Sequence, residues 1–251
     1  MQLDVIGAGP AYSDRPDAIG SSYLLRSGAS SLLLDLGQGA FARLVARIEP
    51  SGLSAVAISH LHPDHFIDLV PLRHYLRYEF DPQRRVRVLA PRELGKRLDS
   101  LWGEPGFAAG VFEYQAQAPG ECQIEHLSLE SARVRHTGDS YGMRVSVGSR
   151  SSATRGLVYS GDCGRAADLA PLILPGDDLL CEVSFGPGPA APGAEHLDGP
   201  AVGALAASTN VGRLFLTHLQ MGFDPEETLA SVRAEFKGPV RFVWPGDQLE
   251  L

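Results

Sequence analysis

The chain is short of cysteine, of basic residues and of long apolar runs, and each shortage removes a class of protein. Cys122, Cys163 and Cys181 are odd in number and lack a CxxC spacing. A disulfide framework or a thiolate zinc knuckle is therefore not expected, and reduced thiols are the plain reading. Lysine and arginine total 22 against 30 aspartates and glutamates, a net charge of −8. A protein that coats nucleic acid without selectivity needs the opposite balance, since each phosphate contact takes a cationic side chain. That balance does not exclude an enzyme that draws one phosphate to a bound cation. No apolar run approaches the roughly 18 residues that span a bilayer. The opening "MQLDVIGAG" has no basic stretch followed by a long apolar one, so no secretory leader is expected and cytoplasmic residence is.

What is present is ordinary soluble material. Apolar residues make up 44% of 251 residues and charged ones 21%, enough to bury a sizeable core. "LDVIGAG" and "SYLLRSGASSLLLDLG" read as strands, the second as two strands with a turn. "AFARLVARIEP" has helical spacing. The strand "SAVAISH" precedes a helix expected from Phe66 to about Tyr78, then comes the strand "VRVLAP". "PRELGKRLDSLW" reads as a helix with Pro91 in its first turn. From Val111 to Val147 the pattern alternates with period two, as strands do; beyond it strands and helices alternate again, with "FGPGPAAPGAEH" as a loop. No linker interrupts the series. A single α/β domain over residues 1–251 is expected, with two β-rich halves rather than one alternating parallel sheet.

The chemistry concentrates in "AISHLHPDHFIDL". His60, His62, Asp64 and His65 fall within six residues at the end of an apolar run, in a chain with eight histidines. Imidazole nitrogen and carboxylate oxygen are the usual ligands of zinc and similar divalent ions. On an extended segment His60 and His62 point the same way and grip one ion. If the chain turns at Pro63, Asp64 and His65 face a second. A loop of surface histidines is the bland alternative, and it explains one histidine better than it explains HxHxDH. Further ligand types stand at other strand ends: His136 in "RVRHTGD", Asp162 in "LVYSGDCG" and His218 in "LFLTHL". His126, inside "QIEHLSL", is the rival of His136; His74, in the expected helix, stays unassigned.

These residues make the chain resemble the metallo-β-lactamase-fold hydrolases, from "IGAGPAY" to "LTHL". The resemblance implies a four-layer αββα sandwich. It implies His60, His62 and His136 on one metal, Asp64, His65 and His218 on the other, and Asp162 bridging the two. "DHFIDLVPLRHYL" lacks the glycine pair that thiolesterase and lactonase branches place after DH, and looks like the ribonuclease Z and related phosphodiesterase branch. "IGAGPAYSDRPDAIGSSYLL" and "HTGDSYGMRV" are similar to the same branch. In that branch a histidine before a helix, oriented by a strand-end glutamate, assists proton transfer; His196 and Glu182 occupy those places. Plain alternatives are a strand-end carboxylate for Glu182 and helix N-terminal decoration for His196.

The resemblance further implies two divalent ions and a bridging hydroxide that attacks phosphorus; zinc is the default from the nitrogen and oxygen ligand set, with manganese or iron(II) as alternatives. His196 would protonate the leaving oxygen, Glu182 would fix its tautomer, and Asp64 would orient the nucleophile while ligating. Ser21 and Ser22 are weaker candidates for substrate contacts. Cys163, where many relatives carry threonine, is read as a small buried neighbour. No basic, glycine-rich arm of the kind that grips tRNA is visible, which favours a smaller phosphodiester such as a cyclic nucleotide or short oligonucleotide, with an RNA 3′ end also in view. The competing readings are a lactone, thioester or β-lactam hydrolase and a non-catalytic metal-bound scaffold. A homodimer is expected.

Overall fold

The computed structural model describes residues 1–149 and 155–251. Alternation inside single strands explains how its layers form. In the strand Ser30–Leu34, Leu32 and Leu34 point one way and Leu33 the other. Leu32 and Leu34 meet Leu129, Val145, Leu157 and Phe215, from the other half of the chain, in a core between two sheets. Leu33 joins Leu44, Leu72 and Leu98 in a second core beneath helices. A third core packs Val202, Leu205, Leu229 and Val232 against Val158, Leu179, Leu214 and Leu216.

The two sheets repeat one design. The first is ordered β14 (Gln248–Glu250), β1 (Gln2–Gly7), β2 (Ser22–Ser27), β3 (Ser30–Leu34), β4 (Ala55–Ala57), β5 (Val86–Ala90) and β6 (Phe112–Ala116). Its neighbours are antiparallel from β14 to β3 and parallel from β3 to β6. The second is ordered β13 (Val240–Phe242), β12 (Arg213–Thr217), β11 (Asp178–Glu182), β10 (Leu157–Tyr159), β9 (Tyr141–Val147), β8 (Leu127–Arg133) and β7 (Gly120–Ile124). It is parallel from β13 to β10 and antiparallel from there to β7. Helices α1 (Ala40–Val45), α2 (Pro63–Phe66), α3 (Leu69–Tyr78) and α4 (Leu94–Trp102) belong to the first half; α5 (Gly199–Ser208) and α6 (Pro225–Glu235) cover the second sheet. The result is the four-layer αββα sandwich, with two mixed sheets face to face and helices outside. Among the described residues no helix is long and apolar enough to cross a membrane.

Three local expectations are corrected. The helix expected from Phe66 is two helices, because the backbone between them is taken up elsewhere. Leu36 N–H donates to the His65 carbonyl at 2.8 Å, Asp68 N–H to the Leu36 carbonyl at 3.1 Å, and the Asp68 carboxylate accepts from Phe41 N–H at 2.8 Å. Starting at Leu69 also puts Pro71 in a first turn, where its missing N–H costs nothing. Pro91 lies before α4 rather than in it, its carbonyl accepting from Leu94 N–H in a turn. His126 stands in the turn between β7 and β8, exposed, not within a strand. The short β14 was not foreseen, since three residues carry too little periodicity.

Candidate metal centre

Every residue of the expected site sits at one edge of the sandwich, where strands of both sheets end. His60 follows β4, His62 directly precedes α2, and Asp64 and His65 lie within it. His136 follows β8, Asp162 follows β10 and His218 follows β12, while Glu182 closes β11. His196 lies in the loop before α5, whose first turn is held by Asp198 accepting from Ala201 N–H. Close packing brings the edge together. A Cβ on Gly37 would lie 1.9 Å from the Asp64 carbonyl oxygen, so only glycine lets β3's following turn approach α2.

The donors form two groups. His60, His62, His136 and Asp162 make one; Asp64, His65, His218 and again Asp162 make the other. Ligand atoms roughly 2.0–2.2 Å from a tetrahedral ion stand about 3.4 Å from one another. In the first group His136 Nε2 is 3.1 Å from His62 Nδ1, and Asp162 Oδ2 is 3.6 Å from His60 Nε2 and 3.8 Å from His136 Nε2. In the second, His218 Nε2 is 3.2 Å from both His65 Nε2 and Asp64 Oδ2. Asp162 Oδ1 is 3.3 Å from His65 Nε2 and 3.6 Å from His218 Nε2. The spacing fits an ion in each group.

Hydrogen bonding supports the same fit, because each of the five imidazoles has its other nitrogen occupied by the protein. His65 Nδ1–H donates to Asp35 Oδ2 at 2.7 Å. Ser59 Oγ donates to that carboxylate and so can accept from His60 Nδ1 at 3.1 Å. His136 Nδ1 donates to the Glu195 carbonyl at 2.8 Å, and His62 Nε2 meets Thr137 Oγ1 at 2.9 Å. Ser184 Oγ donates to Glu182 and accepts from His218 Nδ1 at 3.0 Å. What remains is one lone pair per ring, aimed into a group. His60 Nε2 and Asp162 Oδ1 are buried with no hydrogen-bond partner, which a polar interior tolerates when a cation completes it.

The electrostatics are those of a cation site. Burial, then the neighbouring His65, holds His60 well below the ordinary imidazole value, leaving it neutral as a ligand must be. Burial and the nearby His136 lower His62 in the same way. Burial would raise the Asp162 carboxyl, but the charges of His218 and His65 outweigh it and hold it well below the usual carboxylate range. Asp64 is also lowered, the His218 hydrogen bond overcoming burial. His65 and His218 go the other way: burial opposes their charge, yet Asp162 and, respectively, Asp35 and Asp64 raise them. A cation entering the second group therefore displaces protons.

Beside both groups lies His196. Its Nδ1 is 3.2 Å from Glu182 Oε1, and its ring packs edge-on against Phe185 and His136. Burial disfavours the imidazolium, but the Glu182 hydrogen bond and charge bring its pKa up to about 9. Glu182 is itself fixed by Cys163 N–H at 2.9 Å and Ser184 N–H at 3.0 Å.

Four further residues escaped the sequence reading. Asp35, fully buried at a left-handed φ of 58°, accepts from His65, Ser59 and Tyr159. Ser59, Ser184 and Thr137 orient His60, His218 and His62. An aspartate closing the apolar run "SSLLLD" was the one visible signal. Ser21 and Ser22 are 0% exposed, so neither is presented to a substrate. Cys163 is outside both groups, and burial pushes its thiol up to about 12. His74 packs among Tyr78, Trp102 and Phe107, away from the centre.

With this geometry in hand, the likeness to known proteins is specific. Residues 32–219 match the family described as "Beta-lactamase superfamily domain", and the chain belongs to that superfamily. "Uncharacterized protein ML1173" of Mycobacterium leprae is 32% identical over 243 residues, 94% of this chain and 84% of that protein. "Probable metallo-hydrolase YhfI" of Bacillus subtilis is 26% identical over 257 residues, covering 98% of this chain and 100% of the relative. The crystal structure of YhfI, a metallo-beta-lactamase fold protein, superposes with a TM-score of 0.85 at 22% identity over 99% of each chain. A ribonuclease Z of Pyrobaculum neutrophilum is 26% identical over 280 residues, 98% of this chain and 96% of its own. The chain is thus a metallo-β-lactamase-fold hydrolase of the ribonuclease Z-like branch, within a fold family that works with divalent metal ions.

Proposed function

We propose that this protein is a binuclear metal-dependent phosphodiesterase acting on a nucleotide-type phosphodiester, a cyclic nucleotide or an RNA 3′ end. One observation carries the reading: two four-donor groups share Asp162, and a carboxylate-held imidazole, His196, stands beside them. His60, His62 and His136 would hold one ion and Asp64, His65 and His218 the other. Zinc is assigned first from the nitrogen and oxygen donors, with manganese or iron(II) acceptable to the same set. Bound ions would supply Lewis acidity toward the phosphoryl oxygens and an acidified water as nucleophile.

The remaining steps belong to the protein. Asp64, ionised and buried, orients the attacking water as well as serving its group. His196 holds a proton, and because Nδ1 is taken by Glu182 its Nε2 is the end that reaches the leaving oxygen. Glu182 keeps the ring in that tautomer and raises its basicity. One domain of 251 residues, cytoplasmic residence and a homodimer complete the proposal.

The test pairs elemental analysis with a substrate panel of bis(p-nitrophenyl) phosphate, cyclic nucleotides, RNA 3′ ends and lactones. We expect about two ions per chain and phosphodiester turnover abolished by chelator. Lactone turnover without phosphodiester turnover would overturn the proposal in favour of a carboxylic substrate. A chain purified without chelator and free of metal would reduce it to a scaffold.

A further inference from the structure

The surroundings of the metal centre are electrically lopsided. On the His218 side is a cavity of about 250 Å³ walled by Pro10, Phe242 and Trp244. Its charges are already engaged: Arg15 donates to the carbonyls of Leu219 and Phe223, and Asp17 is paired with Arg43. On the His62 side runs an open groove of about 520 Å³, whose walls include Thr137, Arg92, Glu93, Arg97 and Asp139. Glu93 has Lys96 at 3.9 Å and Asp139 is paired with Arg133. Among the described residues no hydrogen bond or ion pair engages the guanidinium of Arg92 or Arg97. Two unpaired guanidiniums on one groove are notable in a chain of net charge −8.

The groove is also anchored. Tyr114 Oη donates to the Pro91 carbonyl at 2.9 Å, fixing the turn that carries Arg92 at the end of β5. His62 itself forms part of the groove, so a molecule whose phosphodiester lies on the metal centre enters it directly. Guanidinium binds phosphate through two parallel hydrogen bonds, a geometry that water-exposed lysine does not match.

We infer that Arg92 and Arg97 receive a second phosphate of the substrate, carried on the same molecule and lying on the His62 side of the scissile one. The preferred substrate class is then a short oligonucleotide, not a lone cyclic mononucleotide. This rests on the phosphodiesterase reading above and narrows it. The groove flanks the centre on one side only, so the extra phosphate helps at one end of the substrate and not the other.

The experiment compares a diribonucleotide with the same molecule phosphorylated at its 5′ or its 3′ end, using metal-loaded protein. Wild-type protein should favour one of the two phosphorylated forms by roughly tenfold or more in kcat/KM, the order expected of charge-assisted contacts. In Arg92→Ala/Arg97→Ala that ratio should fall close to one, with Arg92→Lys/Arg97→Lys restoring only part of it. A ratio unchanged in the alanine variant overturns the inference. Binding is read separately, by anisotropy of a labelled 2′-O-methyl phosphorothioate tetranucleotide that resists cleavage. The alanine variant should bind at least about tenfold more weakly, with a salt slope shallower by about 0.7, the value for one lost single-strand phosphate contact. Arg233→Ala/Lys237→Ala, which removes the same charge from the end of α6, should leave affinity near wild type. Equal affinity and slope in the groove variant overturns the inference as well. If wild-type protein cleaves nothing, the phosphodiesterase reading fails, and the binding arm alone decides the groove.

Discussion

The two donor groups differ in their surroundings although they share Asp162. Asp64, His65 and His218 are all buried, and His65 and His218 are backed by equally buried partners, Asp35 and Ser184. In the other group the rings of His60 and His136 are buried as well, but His62 is only half-buried and is backed by an exposed threonine. The contrast separates two tasks. A closed, fully hydrogen-bonded group is pre-shaped and should keep its ion; an open one beside a groove is where a substrate arrives.

The largest effect should come from removing what the groups share. Asp162→Asn should empty both positions and abolish turnover, whereas His62→Ala should release one ion of the pair and abolish turnover. Metal counting on the two variants checks this, and loss of both ions from His62→Ala would break the distinction. Next comes the proton donor. His196→Ala should lower phosphodiester turnover by roughly 100-fold or more while metal content stays the same. Its pH signature has a definite sign. A pKa raised to about 9 means that the donor is protonated below that value, so turnover should fall as pH rises through it. Glu182→Gln removes the carboxylate that raises it, and the alkaline limb should move toward neutrality. The smallest effect sharpens the comparison most. Asp35→Asn should weaken ion retention by roughly 10–100-fold. In a chelator competition the ion of the group whose His65 it holds directly should be affected more than the other, whose His60 it reaches only through Ser59.

Much of this centre was legible because its ligands obey a simple rule: polar donors directly after apolar strand runs. "HLHPDH" supplies four donors in contiguous sequence, and His136, Asp162 and His218 each follow a strand. Asp35 obeys the same rule, yet its meaning depends on β3 lying beside β4, which brings it to a histidine 30 positions away. Hydroxyls such as Ser59, Ser184 and Thr137 carry no pattern of their own; only folded proximity gives them a task. The break between α2 and α3 was hidden for a related reason. It follows from the His65 carbonyl, the Asp68 N–H and the Asp68 carboxylate bonding to residues 36 and 41, not from propensity. His126 was misplaced because a tight turn between two apolar strands mimics continuous alternation.

Each donor group draws on both sheets: His60 and His62 stand opposite His136, and Asp64 and His65 opposite His218, with Asp162 joining from the second half in both. Ions in these positions would act as rivets between the amino-terminal and carboxy-terminal halves of the chain. Loading the protein with metal should therefore raise its unfolding temperature in step with occupancy, since only the assembled halves present a complete set of ligands.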